Sequence, residues 1–300
     1  MKKSLFALYV GASIFVFSSC NTNSCNKVDC QNGGTCVEGS CQCPEGFSGA
    51  SCEHQITCGL QSISYDNTIT TFHYNAAGKV EKSTYSDSAA LSQGTYTFER
   101  RYVYANGNPQ ATEEMVYDKN QQLTARYEYA YQNGYIVNIK EFSPTNVLTS
   151  EEEYTRNGQR ISDFKVYSFP NGVKTLDMKS KTIDYDANNN LKNLTQIAPD
   201  SSLIFSYTYK YGTKKNWNLA MYNKGMPRLT TFNYQEELST NNILESTITI
   251  ETLGISSASA YTTYLNTIFN LLDYPTSTQC QTTSSSGVST INVTYTSFCD

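Results

Sequence analysis

Six cysteines close to the start of the chain constrain its fold more than any other feature. Their spacing is C-x4-C-x5-C-x4-C-x-C-x8-C, and they are Cys25, Cys30, Cys36, Cys41, Cys43 and Cys52. A segment this short cannot bury a core large enough to fold alone, and small secreted domains of this kind depend on disulfides. The spacing therefore predicts a disulfide-linked module and a chain that works in an oxidising compartment.

This cysteine pattern resembles an EGF-like module over residues 25–53, with glycines where that family has tight turns. Closely spaced cysteines can also form a zinc site, but no C-x2-C pair is present. The resemblance implies three disulfides, although the spacing alone leaves other connectivities open. They are Cys25–Cys36, Cys30–Cys41 and Cys43–Cys52. The module is interpreted either as a recognition unit or as a spacer.

The N-terminus has the features of an export signal. A basic start is followed by an apolar run from Leu5 to Phe17 and by small residues directly before Cys20. This context resembles the lipobox of bacterial lipoproteins, which implies a signal peptide at 1–19, acylation of Cys20 and a lipidated tether at 20–24. The implied location is the bacterial outer membrane, on either its periplasmic or its surface side. Ordinary secretory cleavage, with Cys20 left for a disulfide, is the alternative.

The composition of the chain indicates that residues 56–300 are mainly β. Only 16% of the residues are charged, whereas 24 are tyrosines, and Tyr and Thr favour pleated strands. The formal net charge is -5, and basic residues do not cluster. Because nucleic acids require a basic surface, we expect no nucleic-acid partner.

Short tyrosine-containing repeats recur along this region. Each combines an aromatic or aliphatic residue, a turn rich in Asn, Asp or Gly, and a second aliphatic residue. Four clear copies are Phe72–Val80, Met115–Leu123, Tyr154–Ile161 and Ile183–Leu191. The turn residues and the period-two flanks predict a series of β-hairpins.

These repeats are similar to the tyrosine-aspartate (Rhs-type) repeats and to a family of Gram-negative lipoproteins of unknown function with a porin-like fold. The resemblance implies an antiparallel up-and-down barrel or a strongly curved sheet, without an established activity. Strands such as 127–131 carry charges at alternate positions, which favours a water-soluble barrel over one that spans a membrane.

Three further cysteines, Cys58, Cys280 and Cys299, belong to the β region. In a barrel with an even number of strands, the first strand begins beside the end of the last strand. This geometry predicts a Cys58–Cys299 disulfide and leaves Cys280 unpaired. A Cys58–Cys280 bond is the alternative.

One segment departs from the β pattern. From Ser257 to Leu272 the apolar residues recur at helical spacing, and Pro275 follows. The sequence therefore predicts one amphipathic helix near the C-terminus that covers a barrel end or a sheet face.

Catalytic signatures are absent from the sequence. His54 and His73 lack metal-ligand spacing, and no nucleophile elbow, phosphate loop or dinucleotide fingerprint occurs. Adjacent residues within Glu151–Glu153 would face opposite sides of a strand, which argues against a glycosidase pair. We therefore expect no enzyme, no cofactor and no metal site.

Rows of tyrosines at period-two spacing are the candidate binding residues. An exposed row of rings could stack on a sugar or hold a peptide, whereas cross-strand packing is the alternative. The residues are Tyr102, Tyr104, Tyr127, Tyr129, Tyr131, Tyr207, Tyr209 and Tyr211. In addition, Asp87-Ser88-Ala89 resembles an acceptor of a bacterial O-glycosylation system, which implies a modification at Ser88.

Together these features predict a lipid-anchored extracytoplasmic binding or adhesion protein without catalysis. Its expected partners are the membrane, through the anchor, and a glycan or protein ligand. A structural or envelope-assembly lipoprotein is the first alternative, and a hydrolase is the second.

Overall fold

A computed structural model of the chain describes residues 25, 28–44, 47–55, 58–105, 108–224, 226, 239, 241–252, 255–270 and 272–299. The predicted signal peptide, the tether and Cys20 lie outside these residues. The chain divides into two compact units, and the boundary between them falls between residues 56 and 57.

The first unit consists of short strands crosslinked by disulfides. Its strands form two antiparallel pairs, and they are β1 (Thr35–Val37) with β2 (Ser40–Gln42), and β3 (Phe47–Ser48) with β4 (His54–Gln55). Disulfides join Cys25 to Cys36, Cys30 to Cys41 and Cys43 to Cys52, with Cα–Cα distances of 5.8, 5.6 and 5.3 Å. These are the pairs that the EGF-like resemblance implies.

The second unit is a closed antiparallel barrel of sixteen strands, so the predicted mainly β, up-and-down barrel is confirmed. Each strand pairs with its neighbours in sequence. The strands are β5 (Cys58–Tyr65), β6 (Thr68–Tyr74), β7 (Val80–Ser86), β8 (Phe98–Val103), β9 (Glu113–Asp118), β10 (Leu123–Gln132), β11 (Tyr135–Phe142), β12 (Leu148–Asn157), β13 (Arg160–Ser168), β14 (Thr175–Tyr185), β15 (Leu191–Ile197), β16 (Leu203–Lys215), β17 (Asn241–Thr252), β18 (Ile255–Phe269), β19 (Pro275–Ser284) and β20 (Gly287–Cys299).

The barrel closes where β20 pairs with β5. Cys299 lies directly opposite Cys58, and a disulfide joins the two residues across a Cα–Cα distance of 4.1 Å. Cys280 is a free thiol. The first and last strands are therefore held by both a hydrogen-bonded ladder and a covalent bond.

Among the described residues, two short helices and a 3-10 turn lie at the two rims of the barrel. The rim at which β5 begins carries α2 (Trp217–Asn223), in the connection from β16 to β17, and is called the capped rim. The far rim carries α1 (Ser88–Ser92) and the 3-10 turn Pro170–Gly172. In the described part of the chain, no helix has both the length and the apolar character needed to cross a membrane.

Helix α2 is fixed to three separate parts of the capped rim. The Trp217 indole N–H donates to the carbonyl of Pro275 at 2.6 Å, at the start of β19. The Met221 sulfur accepts from the backbone N–H of Leu60 on β5 at 3.3 Å. The Tyr222 hydroxyl donates to a carbonyl in the β10–β11 turn at 2.5 Å. Because β10 lies five strands from β5 around the ring, α2 bridges this mouth of the barrel.

The predicted C-terminal helix is wrong. Residues 255–269 form β18, which pairs along its length with β17 and β19. The helical spacing of the apolar residues is real, but Thr262, Thr263 and Thr267 lie between them, and β-branched side chains favour strands. Hydrogen-bonded pairing of this segment with β17 and β19 then decides its conformation. The helix that covers the barrel end is α2, which lies outside the predicted segment.

The closing disulfide generates a stability prediction. Because it links residues 241 positions apart, replacing Cys58 and Cys299 together with serine should lower the free energy of unfolding by about 3 to 5 kcal/mol. Urea unfolding followed by the fluorescence of Trp217, the single tryptophan, measures this change. The matched control is Cys280→Ser, which removes a free thiol and should change the stability by about 1 kcal/mol or less. Equal stabilities of the two variants would contradict the prediction.

Candidate binding lumen

Strand register assigns alternate residues to the inside and the outside of the barrel. On the inner face of β16, Tyr207 lies opposite Leu194 of β15 and Ile248 of β17. On the outer face of the same strand, the Lys210 ammonium lies 2.6 Å from the Glu245 carboxylate. On this strand, apolar side chains face the interior and the ion pair lies outside.

Inward side chains near α2 pack into one hydrophobic cluster, here called the floor cluster. It spans β10 to β16 and includes Tyr222 of α2, so that the cap and the wall share one core. Its buried members are Tyr129, Ile136, Ile139, Tyr154, Ile161, Phe164, Leu191, Leu194, Tyr209 and Tyr222. The removal of this surface from water stabilises the capped end and gives the lumen a floor.

A buried polar network lies beside the floor cluster on β7 to β10. The Glu114 carboxylate is fully buried, 3.1 Å from the Arg100 guanidinium, and it accepts a 2.6 Å hydrogen bond from the Tyr129 hydroxyl. The Tyr102 hydroxyl lies 3.4 Å from the Ser83 hydroxyl. Burial, and then the charge of Glu114, raise the pKa of Tyr102, so its hydroxyl stays protonated. The buried carboxylate is therefore compensated by both charge and hydrogen bonding.

On the opposite wall, nearer the far rim, inward side chains keep solvent-accessible surface. Cys280 lies between Tyr264 and Ile291 on neighbouring strands. Tyr65 is 39% exposed and Ile291 is 41% exposed, although both face inward. Burial raises the pKa of the Tyr65 and Tyr295 hydroxyls, and it raises that of the Cys280 thiol to about 11.

Tyr65 and Ile291 lie close to the far rim of the barrel. Tyr65 ends β5 at the far rim, and residues 287–292 of β20, which include Ile291, are exposed on both strand faces. The exposure of these two side chains therefore marks the open mouth of the barrel. An eight-stranded barrel is just filled by its own side chains, so a sixteen-stranded barrel has room to spare. The fold therefore has space for a lumen above the floor cluster.

Most of the candidate tyrosines pack within the barrel wall. Tyr102, Tyr129 and Tyr209 are buried. The hydroxyls of Tyr104 and Tyr131 each donate a 2.6 Å hydrogen bond to a backbone carbonyl. At these positions the structure places the rings in cross-strand packing and not on an exposed face.

Tyr127 and Tyr207 differ from the other candidates in their position along the strands. Both are half-buried and lie one inward position closer to the far rim than Tyr129 and Tyr209. The Tyr207 ring is parallel to that of Tyr209, with centroids 6.5 Å apart. Tyr127 and Tyr207 therefore lie where the floor cluster meets the lumen. Tyr211, closer to the capped rim, accepts a 3.0 Å hydrogen bond from the Ser239 hydroxyl.

The remaining predicted positions lie outside the lumen. Ser88 is exposed at the start of α1, directly after Asp87, which caps the helix by accepting from a backbone N–H at 2.8 Å. His54 and His73 are both exposed and far apart in sequence. Among the described residues, no group of three His, Cys, Asp or Glu side chains is placed to hold a metal ion.

Neighbouring glutamates on β12 face opposite sides of the wall. Glu151 is on the outside, where the Lys174 ammonium lies 2.6 Å away. Burial opposes ionisation of Glu151, but hydrogen bonds from Lys174 and Asn138 hold its pKa below the usual value. Glu152 faces inward and accepts a hydrogen bond from the Tyr154 hydroxyl. The two carboxylates therefore cannot act as a pair.

A surface cavity of about 290 Å³ lies at the far rim between α1 and the β9–β10 turn. Its two carboxylates are engaged locally, because Asp87 caps α1 and Asp118 accepts from the backbone N–H groups of Asn120 and Gln122 at 2.8 and 2.9 Å. Side chains that satisfy their own turns are not free to bind a ligand, so we assign no site to this cavity.

Arg100 and Glu114 were missed as functional candidates from the sequence. A signal for Arg100 was present, because it alternates with Phe98 and Tyr102 on a strand whose other inward residues are aromatic. A charged residue at an inward position of such a strand indicates a buried partner. The identity of that partner depended on the register between β8 and β9.

Comparisons with known proteins agree with the division of the chain into a small N-terminal unit and a barrel. Residues 20–51 match the EGF-like domain family, which confirms the EGF-like module. Human tissue-type plasminogen activator is 40% identical over 86 residues, which cover 26% of this chain and 14% of that protein. The chain thus spans about one seventh of the length of this relative.

Two solved structures resemble the chain in fold. A porin-like protein from Bacteroides uniformis has a TM-score of 0.45 at 14% identity, over 80% of this chain and 96% of that chain. A porin-like protein from Bacteroides vulgatus has a TM-score of 0.48 at 10% identity, over 79% of this chain and 98% of that chain.

The buried ion pair generates a second prediction. Arg100→Met leaves the Glu114 carboxylate buried without its cation and should lower the free energy of unfolding by about 3 to 5 kcal/mol. Adding Glu114→Leu should recover most of this loss, because no buried charge then remains. Lys210→Met, which breaks the exposed outer pair with Glu245, should leave the stability close to that of the unchanged chain. Urea unfolding compares the variants, and a double variant no more stable than Arg100→Met would refute the assignment.

Proposed function

We propose that this chain is an extracytoplasmic binding protein that holds a small, largely apolar ligand in the barrel lumen. The observation that carries the proposal is the partial exposure of inward-facing Tyr65 and Ile291 in a barrel whose other mouth is bridged by α2. Concave, mostly apolar sites with a few polar groups are typical of small-molecule binding.

The lumen favours a small molecule over the glycan or protein ligand that the sequence suggested. A large ligand would need aromatic rings on the outer surface, whereas the candidate tyrosines lie on inner strand faces. Binding is also favoured over catalysis. The Cys280 thiol, with a pKa of about 11, stays protonated near neutral pH and is a poor nucleophile.

We further propose that Cys20 carries lipid and tethers the chain to the bacterial outer membrane. The support is the signal-like sequence that ends at Cys20, together with a disulfide-linked module that requires an oxidising compartment. The proposal applies to either the periplasmic or the surface side of that membrane.

The lumen proposal is tested with the neutral fluorophore N-phenyl-1-naphthylamine. We expect saturable binding to the full chain, and we expect it to be lost when Cys280 has been alkylated with a bulky maleimide at about pH 9. The bulky group would then fill the lumen of a protein that is already folded.

The matched control carries Cys280→Ser and Thr290→Cys, which moves the label to an outward position beside Ile291. The labelled control should bind the fluorophore as the unlabelled protein does. Absence of binding, or equal loss of binding in both labelled proteins, would reject a lumen site and favour a structural role.

The anchor is tested separately by expression of Cys20→Ser in a Gram-negative host. The unchanged chain should partition with outer membranes and incorporate labelled palmitate, whereas the variant should incorporate none and should appear in the soluble envelope fraction. Retention of the variant in membranes would exclude a lipid anchor at this residue.

A further inference from the structure

The inner face of the barrel carries more negative than positive charge. Three glutamates face inward on β9, β11 and β12, at Glu114, Glu141 and Glu152. Arg100 compensates Glu114 at 3.1 Å. Two inward carboxylates, Glu141 and Glu152, remain to be balanced.

Glu141 and Glu152 lie near each other on adjacent strands. The strand partner of Glu141 is Ser150, and that of Glu152 is Ile139, so the two glutamates are diagonal neighbours on one face. Diagonal neighbours in a sheet are separated by about 7 to 8 Å. Both are half-buried, so their charges are screened less than those of surface residues.

Basic residues nearby are engaged elsewhere. Lys140 is on the outer face, where its ammonium lies 3.9 Å from the Glu151 carboxylate. Arg156 is also at an inward position, opposite Ile161, but it lies at the capped rim, where its guanidinium donates to the carbonyls of Ile136 and Gln159. Within the part of the chain that the structure describes, no ion pair joins Glu141 or Glu152 to a basic side chain.

Aromatic rings adjoin these carboxylates. Tyr127 lies directly between Glu114 and Glu141 in strand register, and it keeps part of its surface at the base of the lumen. Tyr207 and Phe205 supply further half-buried inward rings on β16. The faces of aromatic rings attract cations, and this attraction grows when the cation is removed from water.

We infer that the ligand of the lumen is an amphiphilic organic cation, such as a quaternary ammonium carried on an apolar chain. Its charged group would lie beside Glu141, Glu152 and the Tyr127 ring, and its apolar part along the wall that contains Tyr65 and Ile291. The inference rests on the proposed lumen site and adds the chemical class of the ligand. Charge complementarity selects this class, because an anion would face two carboxylates that have no basic partner among the described residues.

Two ligands with the same alkyl chain and opposite charge test the inference. Calorimetric titration of the full chain should show that octyltrimethylammonium binds at least about tenfold more tightly than octanoate. Replacing both carboxylates, with Glu141→Gln and Glu152→Gln, should reduce this preference about tenfold. The amide keeps the size of each side chain and its capacity to accept the Tyr154 hydroxyl.

The matched control carries Glu128→Gln and Glu153→Gln, which neutralise outward carboxylates on β10 and β12. It should keep the full preference for the cation. Trp217 fluorescence and N-phenyl-1-naphthylamine binding report whether each variant retains its fold and its lumen.

Equal or tighter binding of octanoate would overturn the inference, and so would a preference that survives the Glu141 and Glu152 replacements. In either case, fluorophore binding that is blocked at Cys280 would leave the lumen site itself in place. Failure of the fluorophore and of both alkyl ligands to bind would overturn the lumen site and the inference together.

Discussion

The pairing of the last barrel strand with the first is the constraint on which the rest of the structure depends. A sheet that closes on itself has no free edge, so every strand is satisfied by hydrogen bonds on both sides. Closure also turns the period-two alternation of each strand into a division between interior and exterior. The Cys58–Cys299 bond joins the two strands where this ring is completed.

The interior is then organised from one end. Helix α2 and the floor cluster fill the barrel at the capped rim with aromatic and aliphatic side chains. Toward the far rim, sixteen strands enclose more space than their side chains fill. The Glu114 carboxylate is stable inside because the charge of Arg100 and a hydrogen bond from Tyr129 compensate it. Among the described residues, Glu141 and Glu152 have no basic partner, although Glu152 accepts a hydrogen bond from Tyr154. Stability and selectivity therefore come from different residues of one inner surface.

Local patterns in the sequence predicted much of the architecture. The cysteine spacing indicated the EGF-like module, and the Asn, Asp and Gly turns between alternating strands indicated a hairpin barrel. Properties that depend on partners distant in sequence were harder to predict. Residues 257–272 have a helical spacing that pairing with β17 and β19 overrides, and α2 is too short for a periodic signal. The inward direction of the tyrosine rows required the strand register, as did the partner of Arg100.

The seclusion of Cys280 matters for how the chain matures. A chain with an unmatched sulfur risks thiol–disulfide exchange whenever that sulfur is ionised, because only the thiolate attacks an existing bond. With a pKa of about 11, about one Cys280 side chain in ten thousand is ionised at pH 7. Once the barrel has formed, Cys280 is therefore prevented from attacking the four disulfides of the described residues, although it has no disulfide partner of its own.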